Sequence, residues 1–185
     1  PETIVKEKSE QKMEVSKPLY TIGIKDIPAE ENEKVKKHIA IEVLLNIIIG
    51  ASSELYKKLY DKGNCYSNPS IEYEFDKKYA HILITGQSNN PEELYKDLKA
   101  QIKKYIQDGI NETDFERTKK MIYGEYIKEY NDITDIARMF LSDYFKGINS
   151  FEYLEEIETI NIDYLNQVLK NVFNEKKMIL SVVRS

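Results

Sequence analysis

Three sets of residues in this chain have the types and spacing that chemistry needs. Gly50-Ala51-Ser52-Ser53 interrupts an apolar run and could be a phosphate cradle, a nucleophile turn or a corner between two helices. His38, Glu42 and Asn46 recur every fourth residue, so on a helix they share one face, and two of them are metal-ligating types. Cys65 could act as a nucleophile if a histidine activated it, and the nearby stretch offers only His81.

Each has a plainer reading. Zinc takes three or four ligands, and no second histidine stands near His38, so the stripe reads as the solvent-facing polar edge of an otherwise buried helix. His81 falls out of phase with Ile82 and Ile84 and reads as a surface residue of a strand. Without a histidine partner Cys65 reads as an inert, half-buried side chain. HxxEH and its inverse, GxSxG, and a glycine-rich loop ending in Lys-Ser or Lys-Thr are all absent. The corner reading of Gly50 to Ser67 accounts for the whole stretch: Gly50 as a left-handed helix end, Ser52 or Ser53 as the next N-cap, Leu55 and Leu59 buried. The chain is therefore expected to carry no catalytic residue, no metal site and no cofactor of its own.

The elements that position these residues are legible in outline. Leu19 to Ile24 reads as a strand, and Glu31 to Ile49 as a helix apolar on most sides, hence central. Ile71, Tyr73 and Phe75 alternate with Glu72 and Glu74, and a turn at Asp76-Lys77-Lys78 leads to a second strand from Tyr79 to Thr85, which predicts a hairpin. Asn90 with Pro91, then Asn111, then Asn161 stand where helix N-caps belong. The helices they start carry the stripes Leu94-Leu98-Ile102, Phe115-Ile122-Tyr126 and Leu165-Val168-Leu169-Val172. Gly124 predicts a close packing point or a bend. Ile133, Ile136, Ala137, Phe140, Leu141 and Tyr144 continue the apolar pattern up to Gly147, a short helix from Ser150 buries Phe151, Leu154 and Ile157, and Lys177 to Val183 closes the chain as a strand. This order predicts an α+β domain over residues 17–185, with a mainly antiparallel sheet covered on one face by helices. Residues 1–16, charged and without an apolar face, read as a linker with little packing of its own.

Composition narrows the function classes. A net charge of −5, with acids interspersed among the lysines, argues against a nucleic-acid surface. No run of about 20 apolar residues stands uninterrupted, so no membrane partner is expected. One cysteine excludes an internal disulfide and fits either a reducing compartment or simple disuse of the residue; a cytoplasmic location is expected. Only Arg117, Arg138 and Arg184 of the 27 basic residues are arginine, a lysine bias that fits an AT-rich genome. The chain begins with Pro1 rather than Met, which predicts a piece of a longer protein.

The succession "LLNIIIGASSELYKKLYDKGNCYS", a strand leading into "GQSNNPEELYKDLKAQIKKYIQDGINETDFERTKKMIYGEYIKEYND", then "SFEYLEEIETINIDYLNQVLKNVF" and a last strand resembles the C-terminal, non-catalytic half of insulinase/pitrilysin-type (mitochondrial processing peptidase-like) zinc metallopeptidases. The likeness covers about Val15 to Ser185 and rests on the order of caps and corners. It implies a bacterial protein in which a zinc-bearing N-terminal half, or a homologous subunit, faces this one across a chamber holding a peptide substrate. It also allows a metal-free homologue that is a structural or regulatory partner of an active peptidase. In the family an arginine and a tyrosine after the Ser-Ser corner reach the substrate. Here the matching stretch, "LYDKGNCY", is one residue shorter: Tyr60 stands where the arginine is expected and Tyr66 best matches the tyrosine, so both are candidate substrate-binding residues. A phenol does not replace a forked, permanent cation, which tells against direct help with catalysis and leaves Lys62 as a substitute. For Tyr66, packing beside the hairpin is an equal reading.

Overall fold

Alternation of period two builds the sheet, and one all-apolar helix fixes what covers it. The computed structural model describes residues 4–185. Its strands are β1 (Lys8–Lys12), β2 (Leu19–Asp26), β3 (Ser70–Asp76), β4 (Tyr79–Gln87) and β5 (Met178–Arg184), in the order β1-β5-β2-β4-β3. Among the described residues only the β1–β5 pairing is parallel; β2 runs antiparallel to both β4 and β5, and β3–β4 is the expected hairpin. The inward set Tyr20, Ile22, Ile24, Ile82, Ile84, Phe75, Leu180 and Val182 is buried beneath the helices. The opposite face carries Thr21, Gly23, His81, Leu83, Thr85, Ile179 and Ser181, all half-buried.

The covering helices are α1 (Lys34–Ile49), α2 (Glu54–Asp61), α3 (Pro91–Asp108), α4 (Glu112–Glu129), α5 (Ile133–Lys146), α6 (Glu152–Thr159) and α7 (Ile162–Val172). Helix α1 packs against β3 and also against α2, α3, α4, α6 and α7. That central position explains a sequence apolar all round, since every side meets protein. An 18-residue window within residues 31–61 is apolar enough to pass a length test for a membrane span, yet 67% of it is buried in this domain. Asn90, Asn111 and Asn161 each accept a hydrogen bond from an amide of the first turn they cap.

The expectations for the linker, for Gly124 and for the α5 stripe are corrected. The stretch read as an unpacked linker contains β1, paired residue by residue from Lys8↔Leu180 to Lys12↔Arg184 and extended by Met13 N–H to the Arg184 carbonyl at 3.0 Å. Its side chains are all exposed, so only the backbone ladder and ion pairs such as Lys8–Glu92 at 2.8 Å hold it, and such an edge strand has no alternation to read. Residues 1–3 of that stretch lie outside the described residues. Gly124 lies within a continuous helix with open space beside it. The apolar stripe expected to bury α5 points outward: Ile133, Phe140, Leu141 and Tyr144 are exposed, as is Phe151 before α6, whose buried side is Tyr153 and Ile157.

Gly50 ends α1, but not in the left-handed conformation. Its φ of −63° and ψ of 169° are open to any residue. Glycine is needed there because a Cβ would lie 2.6 Å from the Asn46 carbonyl oxygen, a backbone atom that cannot swing aside. Gly50→Ala should therefore cost about 1–3 kcal/mol in urea unfolding, the usual range for overpacking that moves backbone.

Candidate functional site

The corner after α1 is architecture. Ser53 Oγ accepts the Tyr56 amide at 3.0 Å and caps α2, while Leu55 and Leu59 are buried. The loop from α2 to β3 is then tied to the start of α3. Lys62 Nζ donates to Glu93 at 2.8 Å, Asn64 Nδ2 to the same carboxylate at 3.0 Å, and Asn89 Nδ2 to the Gly63 carbonyl at 2.8 Å. Lys62 also lies 3.5 Å from Asp97, so its charge serves the α2–α3 join. Cys65 is buried, its thiol donates to the Ser67 carbonyl at 3.1 Å, and burial pushes its pKa up; it is not an activated nucleophile.

Both candidate substrate-binding residues are exposed, and they have different surroundings. Tyr60 projects from the last turn of α2 with its ring 6.1 Å from that of Tyr56. Tyr66 sits in the loop, its hydroxyl donating to Asn89 and its ring under Lys17 Nζ at 3.5 Å. Tyr66 is thus held through its hydroxyl and one ring face while 38% of it stays exposed.

The stripe on α1 is half-buried, bonded to its neighbours and bordering a cavity, where the sequence suggests a solvent-facing edge. His38 Nδ1 lies 2.9 Å from the Tyr153 hydroxyl, the Tyr126 hydroxyl donates to Glu42 Oε2 at 2.5 Å, and Asn46 Nδ2 donates to the Glu42 carbonyl at 3.1 Å. His38 and Glu42 border a cavity of about 600 Å3 between α1, α4, α5 and α6, which Glu129, Asp143 and Lys146 also line. Burial pushes the Glu42 carboxyl up to about 7, against the pull of the Tyr126 hydrogen bond and with help from the Glu125 and Glu129 charges. Burial, and then the Lys146 ammonium, push His38 down to about 4. Asp143 is pushed up by burial despite the Ser150 hydroxyl bonded to it at 2.8 Å. The cluster thus joins α1 to α4 and α6 through tyrosine hydroxyls. Sequence reasoning placed Tyr126 on an apolar stripe and missed that its hydroxyl would satisfy a carboxyl across the helix pair. Among the described residues no group of three or more His, Cys, Asp or Glu is placed to hold a metal ion. His81 lies on the open sheet face beside Tyr79, with rings 5.8 Å apart.

This geometry describes an α+β domain whose buried polar groups serve to join its helices. Residues 2–122 match the family model of the Peptidase M16 inactive domain, and the chain belongs to that family. It is 25% identical over 173 residues to the zinc protease YmfH of Bacillus subtilis, covering 91% of this chain and 40% of that one. Its fold superposes with a TM-score of 0.93 on an M16-like peptidase from Alicyclobacillus acidocaldarius, at 20% identity, over 100% of this chain and 45% of the other. It also superposes, at a TM-score of 0.73 and 11% identity, on the inactive peptidase domain of a zinc protease from Bordetella parapertussis, over 93% of this chain and 92% of that one. The chain thus spans less than half the length of the first two relatives and nearly all of the third.

Proposed function

We propose that this chain is the non-catalytic C-terminal domain of a bacterial, cytoplasmic zinc metallopeptidase of the insulinase type, and that it walls a peptide chamber and positions substrate for a zinc-bearing N-terminal half. The observation that carries the reading is the match of the whole chain to under half of an M16-like peptidase, together with the inactive-domain family match. Zinc chemistry then belongs to the other half, where a metal-activated water would attack the peptide bond. This chain's part is shape and contact: Tyr60 and Tyr66 offer exposed aromatic edges beside a rigidly tied loop, and aromatic rings contribute contact area with few rotamers to freeze.

The test uses the chain and the full-length polypeptide side by side. The chain alone should retain no stoichiometric zinc after desalting and should leave a quenched fluorescent peptide uncut, whereas the full-length protein cuts it only when zinc is present. In the full-length protein, Tyr66→Ala should raise KM about fivefold with a smaller change in kcat, the loss of about 1 kcal/mol of substrate binding. Cleavage by the isolated chain would end the proposal, and an unchanged KM would remove Tyr66 from the substrate surface.

A further inference from the structure

Helix α5 is amphipathic in the wrong sense for a lone domain. Ile136, Met139, Asp143 and Lys146 turn toward the body of the protein, and of the whole helix only Asp143 is buried. Ile133, Ala137, Phe140, Leu141 and Tyr144 recur at the helical period on the outer side. There Ile133 is 83% exposed, Phe140 48%, Leu141 54% and Tyr144 66%, and the Phe140 and Tyr144 rings stack with centroids 6.3 Å apart.

Rolling the helix about its axis would not cure this. Its N-terminus is fixed by Asp132, which caps Thr134 and Asp135, and its C-terminus by Gly147 in the left-handed conformation. Asp143 is held from the next segment by Ser150, and the Lys146 carbonyl accepts Lys34 Nζ at 3.1 Å. The space beneath is the cavity lined by Glu42, Glu129 and Asp143, which aromatic rings would desolvate without pairing. The outward stripe is therefore fixed by the fold.

We infer that the outer face of α5 is the seat of the other domain of the same polypeptide. The inference rests on the reading above that a zinc-bearing half accompanies this one. Three observations favour that occupant. More than half of YmfH and of the Alicyclobacillus peptidase lies outside the part this chain matches, so each has at least a domain's length of further chain to pack. Interfaces between domains of one chain cover roughly 600–1,500 Å2 and mix polar with apolar side chains, as the outer part of α5 does, with Asp135 and Arg138 exposed alongside Phe140 and Leu141. The rival surface, the open face of the sheet, carries Thr21, Gly23, Thr85 and Ser181 among its aliphatic residues, small and hydroxyl-bearing side chains that water can solvate, and it suits the wall of a chamber. A second copy of this chain is the poorer occupant, because a tethered domain acts at an effective concentration in the millimolar range and displaces it.

Hydrogen exchange read by mass spectrometry on peptides within 133–146 tests this in the isolated chain and in the full-length protein. The Bordetella inactive domain, solved as a chain of which 92% is matched here, indicates that such a domain folds alone. Exchange in α5 should be at least about tenfold slower in the full-length protein, the equivalent of about 1.4 kcal/mol of added protection. The double variant Phe140→Asp/Tyr144→Asp, made in the full-length protein, should restore the fast exchange of the isolated chain while peptides from α1 stay protected, which separates a lost interface from a lost fold. Equal exchange in the two proteins would overturn the inference, and so would α5 protection in the isolated chain that fades on dilution, the mark of a second copy. Zinc content and peptide cleavage of the full-length protein decide the peptidase reading separately: a zinc-free protein with α5 protected keeps the interface and loses the peptidase.

Discussion

Leu44→Ala lowers the stability of this chain by about 3–4 kcal/mol, the middle of the range for a leucine removed from a rigid core. Leu44 is fully buried in the middle of α1, a helix with neighbours on every side, so little can collapse into the space left behind. With a urea slope of about 2 kcal/mol per molar, the midpoint moves down by about 1.5–2 M. A domain of this size has only about 5–15 kcal/mol to lose. The same deletion on the exposed stripe, Leu141→Ala, is expected to shift the isolated chain by less than about 0.5 kcal/mol, because half of that side chain is already in water. The ratio between the two variants is the discriminating quantity. If Leu44→Ala costs no more than Leu141→Ala, α1 is not the centre of the core.

The contrast between Leu44 and Leu141 also shows what sequence patterns carry. Periodicity identified both as members of apolar stripes, and for α1 the stripe wraps the whole helix, so no choice of direction remained. For α5 the stripe is one-sided, and a period of 3.6 residues says which residues share a face but not whether that face meets this domain or another one. The polar stripe of α1 failed for the same reason: spacing put His38, Glu42 and Asn46 together, while their partners Tyr126 and Tyr153 stand about 84 and 115 residues away on helices read as apolar. Caps were legible because Asn90, Asn111 and Asn161 act on amides two or three residues ahead. Strand β1 was not, because an exposed edge strand of charged residues is held by its backbone, which every sequence has. The same limit applies at the candidate site. Ser53 as a cap is a local fact that the sequence states, whereas the tie of Lys62 and Asn64 to Glu93 spans about 30 residues and appears only once the loop is folded against α3.

Glu42→Gln should make the protein more stable at pH 8, by up to about 3 kcal/mol, although it removes a charged residue from a hydrogen-bonded cluster. The Glu42 carboxyl sits at about 7 in the folded chain against an ordinary 4.5. Between those values the folded chain keeps a proton that the unfolded chain has released, so this contribution is whole below pH 4.5 and falls by about 1.4 kcal/mol per pH unit up to pH 7. His38 acts in the opposite direction. Held near 4 against an ordinary 6.5, it is neutral in the folded chain where the unfolded chain is protonated, so stability rises with pH over that interval. From pH 4.5 to 6.5 the two slopes cancel, and the wild-type profile hides both groups. Glutamine keeps an acceptor for the Tyr126 hydroxyl but never has to ionise in the cluster, so the variant shows the histidine limb alone: a rise of about 3 kcal/mol from pH 4 to 6.5. Glu129 and Asp143, which border the same cavity and are also pushed up by burial, and Lys146, which faces His38, are present in both proteins and enter their difference only at second order. Urea midpoints from pH 4 to 8 decide it. Parallel profiles for the two proteins, or a variant weaker than wild type at pH 8, would mean that Glu42 ionises in the fold as easily as in water and that the polar stripe of α1 is, after all, solvated.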